Sequence, residues 1–213
     1  MYTFLFACIP AFLLLVCFSN GKYSWKSFIP PVAIGFLVAF VFYICKKFMI
    51  FNRYVWTVDM VPAVLNGFVY DVLIPFLACL AAFFLFDRSK MRYKAEAVGP
   101  LMLMFYAFMV PFGILTGDDL LTPFMIYGKP LLFVGMVLFV SSFASLGVGF
   151  TFGERKLIPL GVLFFLLIVP VLFVPSLIEA LWYYEGRFVF VIVSAVFAGL
   201  GLLLHLARNI FVH

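Results

Sequence analysis

Charge is what this sequence has least of. Only 11% of its 213 residues are Asp, Glu, Lys or Arg, and 67% are apolar, against about a quarter and about a half in soluble globular domains. So little polar surface cannot cover a core in water, which excludes a soluble fold and makes lipid the expected solvent. Histidine occurs twice, at His205 and His213, so ligation of a b-type haem by paired transmembrane histidines is not expected. The chain has no H-E-x-x-H, no G-x-S-x-G, no P-loop and no Gly-rich dinucleotide fingerprint. No cofactor and no metal site are therefore expected. Cys8, Cys17, Cys45 and Cys79 all lie in apolar runs and form no C-x-x-C pair. They read as small buried hydrophobes rather than as a disulfide framework.

Long apolar runs are abundant. A bilayer core of about 30 Å is crossed by roughly 20 helical residues, and seven runs approach that length: 2–18, 28–45, 60–86, 98–115, 130–152, 157–178 and 188–206. The expected fold is all-α, a polytopic transmembrane bundle of about seven spans with short loops, forming one integral-membrane domain over 1–213. The first run lacks the basic leader and A-x-A site of a signal peptide. Val16 before Cys17 is also not the small residue of a lipoprotein signal, so this run is expected to remain as a span.

The net charge of +5 does not imply nucleic acid, because the basic residues fall in short clusters between apolar runs, where they set orientation and meet anionic headgroups. With seven spans, loops 19–27, 87–97 and 153–156 plus the C-terminal tail carry nine Lys and Arg, against five on the other side. The C-terminus is thus expected in the cytoplasm and the N-terminus outside, in a plasma or inner membrane. Asp59, Asp118, Asp119, Glu179 and Glu185 then fall outside, as solvated loop acids or as a vestibule that concentrates cations. Tyr23 and Trp25 mark one interface, and Tyr54, Trp56, Trp182, Tyr183 and Tyr184 the other. Ser176 and Glu179 have capping-box spacing, predicting a short interfacial helix through Trp182.

The residue that most needs explaining is Asp71, in the middle of run 60–86. At about 100° per residue, Asp59, Pro62, Asn66 and Tyr70 share one stripe, and Gly67, Asp71 and Pro75 share its neighbour. Lipid cannot hydrogen-bond such a flank, so it is expected to face other helices or water. A charged carboxylate at the bilayer centre costs roughly 2.5–3.5 kcal/mol on the mildest scale. Protonation, a cationic partner or a wet cavity each reduces that cost. A protonated Asp71 that only ties helices together is the structural alternative. Within the spans the candidate partner is His205, on a face shared with Ser194, Ala198, Gly201 and Arg208, but its depth near the cytoplasmic end is against a direct pair, and an interfacial histidine bonded to a carbonyl or headgroup is the alternative.

Ser141, Ser145 and Gly149 recur every fourth residue, as do Ala195 and Gly199. Both patterns predict close helix packing, inside the bundle, in a homodimer or against a partner subunit. Pro75, Pro111, Pro159, Pro170 and Pro175 predict kinks, each freeing a carbonyl. The connection 113–130 is expected to be a loop, with Leu120–Tyr127 at the interface and Asp118–Asp119 as a solvated turn.

Three functions are compatible with these features. A small solute or cation carrier or channel would use Asp71, with Asn66 and Tyr70 as neutral hydrogen-bonding groups, Asp59 at the outer mouth and His205 as a further candidate. A non-catalytic subunit or assembly factor would use the small-residue faces. A lipid-acting enzyme would need Asp59 with Asp118 and Asp119. The carrier is the expected function, and an enzyme is the weaker expectation.

Overall fold

A computed structural model describes residues 25–48, 59–86, 91–115, 123–153, 157–184 and 186–211. The first apolar run, Asp118, Asp119 and Glu185 lie outside the described residues. The described elements are all helical: α1 (Trp25–Lys47), α2 (Met60–Phe86), α3 (Met91–Leu115), α4 (Pro123–Phe152), α5 (Ile158–Tyr184) and α6 (Arg187–Phe211). Four stretches are long and apolar enough to cross a membrane: Met60–Phe86, Ile126–Phe152, Ile158–Ala180 and Arg187–Arg208. Ile29–Cys45 is a shorter apolar helix.

The middle of the bundle is α4, which packs on α3, α5 and α6. Apart from Lys129 near its start, its sequence is apolar or small on every face, as expected of a helix surrounded by others. Leu132, Met136, Val140, Ser141 and Ser142 are all buried. The main core joins Val72, Phe76 and Phe83 of α2 to Leu101 and Phe105 of α3 and Phe133 and Val137 of α4. Two buried serines are satisfied locally. The hydroxyls of Ser142 and Ser194 donate to the carbonyls of Leu138 and Phe190, each at 2.7 Å, so these serines place no orphan donor in lipid.

The outer surface is apolar in the same periodic way. On α6, Val189, Ile192, Val196, Leu200 and Leu203 are all exposed, with spacings of three and four that form a single stripe. The opposite face of α6, formed by Ser194, Ala198, Gly201 and His205, is buried, as its small residues predict. A Cβ added at Gly201 would lie 2.9 Å from the carbonyl oxygen of Gly135 and 3.2 Å from Leu138 Cβ. Gly199 has open space beside it. Gly201→Leu is thus expected to destabilise the protein by about 1–3 kcal/mol, while Gly199→Leu should be nearly neutral. Thermal unfolding of the two variants in one detergent checks this.

Three expectations are corrected. The helix that holds the fifth apolar run starts at Pro123 rather than 130, so residues 123–130, expected in a loop, are the first two turns of α4. Proline suits a first helical position, where its missing N–H would have no partner. Next, Ser176 and Glu179 form no capping box, because α5 runs unbroken through both and a continuing helix has no N-terminal N–H groups to cap there. Finally, Pro159 lies in the first turn of α5, where proline is accommodated, rather than at a kink. The remaining small-residue pattern, Ala195 with Gly199, faces outward within this chain.

Candidate functional site

The helix carrying Asp71 is distorted at Asp71 itself. Between two α-helical stretches of α2, residues Phe68–Leu73 are π-helical, and the Ile74 N–H bonds the Val69 carbonyl five residues back. In a regular α-helix the Asp71 carbonyl would accept from the N–H of residue 75. Residue 75 is proline and has none. The Tyr106 hydroxyl on α3 donates to that carbonyl instead, at 3.2 Å. The extra residue in the turn also resets the buried face. Gly67 is followed inward by Val72, five positions on, and then by Pro75, Phe76, Cys79 and Phe83. Tyr106 is itself held by stacking on Phe133 of α4, with ring centroids 4.4 Å apart and planes at 16°. Tyr106→Phe is expected to cost about 0.5–1.5 kcal/mol, because it leaves the Asp71 carbonyl without the donor that replaces Pro75. Equilibrium unfolding against wild type measures it.

Beside this distortion lies a cavity of about 40 Å³. A single water needs roughly 10–15 Å³, so a few waters fit. The walls are Phe42 of α1, Tyr70, Asp71 and Pro75 of α2, Phe105, Tyr106, Met109 and Val110 of α3, and Lys129 and Phe133 of α4. The Lys129 ammonium reaches Glu179 of α5 at 3.4 Å, and both side chains are buried, at 7% and 5% exposure. Two of the chain's few charges thus form a buried pair in the bundle, and the lysine of that pair shares a cavity with Asp71. At low dielectric an ion pair interacts far more strongly than in water, so this pair also fixes α4 against α5.

Compared with known proteins, the chain matches no family model, no curated protein and no solved structure. The site therefore rests on its own geometry.

Of the residues singled out in the sequence, Asp71 and Tyr70 line the cavity together. Asn66 is partly buried one turn earlier on α2 and is not among the lining residues. Asp59 is exposed at the N-cap position of α2, where its carbonyl accepts the Ala63 N–H at 3.3 Å. His205 is buried but belongs to a different cluster on the α4–α6 interface. There Arg208 donates to the Ser145 hydroxyl at 2.9 Å and to the Ser141 hydroxyl and carbonyl, each at 3.3 Å. Glu96 of α3 and His205 lie within electrostatic reach of Arg208. The serine stripe of α4 is thus a set of hydrogen-bond acceptors as well as a packing surface.

The residues missed were Lys129, Glu179 and Tyr106. Lys129 and Glu179 lie at or just beyond the ends of the apolar runs, so hydropathy alone places them in loops. Their signal was present in the sequence. In each case the helix pattern continues past the charge, and both charges fall toward the same end of neighbouring helices.

Proposed function

We propose that this chain is a membrane carrier or channel for a small solute or cation, with Asp71 as its coupling carboxylate. One observation supports the reading above the others. Asp71 stands at a π-helical break in the wall of a cavity inside the bundle, and that cavity also contains one member of a buried ion pair. Ionisable groups gathered around a wet cavity between spans are the expected furniture of an ion or proton path, and π-bulges occur often at functional sites. In this reading the chain has about seven spans in a plasma or inner membrane, with the N-terminus outside and the C-terminus in the cytoplasm.

The test is thermal stability of the purified protein across a panel of cations and small solutes, wild type beside Asp71→Asn. A ligand at about 100 times its Kd should stabilise the native state by about 2.7 kcal/mol. Stabilisation of wild type and not of the variant supports the reading and names the ligand class. If no ligand stabilises wild type and the variant is only less stable, Asp71 is structural.

A second reading, a non-catalytic subunit of a membrane complex, is favoured by the outward small-residue face of Ala195 and Gly199. Extraction in mild detergent should then recover a stoichiometric membrane partner. A stable monomer or homodimer counts against it.

A further inference from the structure

We infer that the bundle is built as two bodies that rock on one another, with the π-helical turn of α2 as the hinge between them. The bodies are marked by where helix backbones meet. Helices α1 and α3 meet at Gly35, where an added Cβ would strike the Leu101 carbonyl and lie 3.3 Å from Met104 Cβ. Helices α4 and α6 meet at Gly135, where it would lie 3.0 Å from the Ala198 backbone. Helices α4 and α5 meet at Gly161, where it would lie 2.8 Å from the Gly147 carbonyl oxygen. Small residues let backbones approach this closely, and no side chain is left between them to change rotamer. So α1 with α3 forms one body, and α4 with α5 and α6 forms the other.

Between the bodies, α3 and α4 meet through side chains such as the stacked rings of Tyr106 and Phe133, and two cavities lie on this seam. The cavity of about 40 Å³ has walls from α1 and α3 on one side, α4 on the other and α2 between. A second, of about 10 Å³, sets Leu103 and Ala107 of α3 against Pro130 and Val134 of α4. Voids of water size are few in a packed interior, so the seam is where the described bundle can give. Helix α2 crosses it. The first stretch, Met60–Gly67, packs on α5, and the last, Ile74–Phe86, packs on α1 and α3. The π-helical turn Phe68–Leu73 falls between them. It meets α5 at Phe173, whose ring centroid is 5.0 Å from that of Phe68, and α3 at Tyr106. A helix shared by two bodies bends where its hydrogen-bond ladder is weakest, and Pro75 removes one rung there. Interdigitated side chains have discrete packings, so the bodies switch between two arrangements rather than drift. In the described one, the Tyr106 hydroxyl holds the turn against α3 by donating to the Asp71 carbonyl. In the other, that bond is lost and the seam is wider. The motion stands on packing and not on the carrier reading, to which it supplies a route into the cavity.

The experiment measures spin-label distances by pulsed electron resonance on the full-length protein in liposomes. The labels are carried on non-natural residues, so the native cysteines stay. Val41 of α1 and Ile192 of α6 span the seam, whereas Leu163 of α5 and Ile192 lie within one body, and all three positions are exposed. The cross-seam pair should give two distances and the pair within one body a single distance. In Pro75→Ala the restored N–H bonds the Asp71 carbonyl, so the longer cross-seam distance should be lost. In Tyr106→Phe the same distance should gain population about two- to tenfold, the effect of one hydrogen bond made in the shorter state only. A single cross-seam distance in wild type and in Tyr106→Phe overturns the two bodies, as do two distances within the α5–α6 pair. Two cross-seam distances that Pro75→Ala leaves unchanged overturn the hinge. The readout is a distance and not flux, so each of these results leaves the carrier reading to its own ligand test.

Discussion

Lys129→Met is expected to destabilise the protein by about 3–5 kcal/mol near neutral pH, the largest effect of any single substitution considered. The magnitude is that of leaving a buried charge without its partner. Glu179→Gln should cost less, since it leaves Lys129 still sharing the cavity with the Asp71 carboxylate. The double variant Lys129→Met, Glu179→Leu should recover much of the loss, because apolar replacement of a whole buried pair is often neutral or better. Equilibrium unfolding in mixed detergent micelles measures all three variants. Equal costs for the two single variants would show that Lys129 serves only to join α4 to α5.

The fold was legible in the sequence to the extent that hydropathy carries it. Run 60–86 coincides with α2, runs 28–45 and 188–206 each fall within a helix that extends a few residues further, and run 157–178 falls within α5 but for Leu157. Apolar averaging misplaced the ends, because a helix is held by backbone hydrogen bonds that continue past a charged side chain. Hydropathy therefore places Lys129 in a loop, although it is the seventh residue of α4. Asp71 was legible as an anomaly, and its neighbour Pro75 as a break. Joining them takes one further step: the carbonyl that Pro75 frees lies four residues back, on Asp71. The partner of that carbonyl was not legible, because the register of α3 against α2 decides that Tyr106 stands opposite, and register is a property of the packed bundle. The same holds for Arg208. Its face on α6 could be counted from the sequence, but its seat on Ser141 and Ser145 depends on the depth at which α6 meets α4.

Asp71→Asn should lower flux of the coupled ion or solute by at least about a hundredfold, equivalent to about 2.7 kcal/mol, with little change in stability. Asparagine keeps the size of the side chain and most of its hydrogen-bonding capacity but cannot take up and release a proton. Asparagine is isosteric with the carboxylic acid, so the packing at this position is retained. The local backbone provides an internal control. The Tyr106 hydroxyl bonds the Asp71 backbone carbonyl rather than its side chain, and the missing N–H belongs to Pro75, so the π-helical turn has the same causes in the variant. Lost flux would then belong to the carboxyl group and not to a reshaped helix. The measurement is flux into proteoliposomes of whichever cation or solute stabilises wild type. Flux in the variant equal to wild type would make Asp71 a structural tie between helices and would end the carrier reading. Lost flux together with lost stability would be explained by unfolding alone, and Asp71→Glu would then decide: restored flux requires an ionisable group at this position, whereas restored packing alone does not.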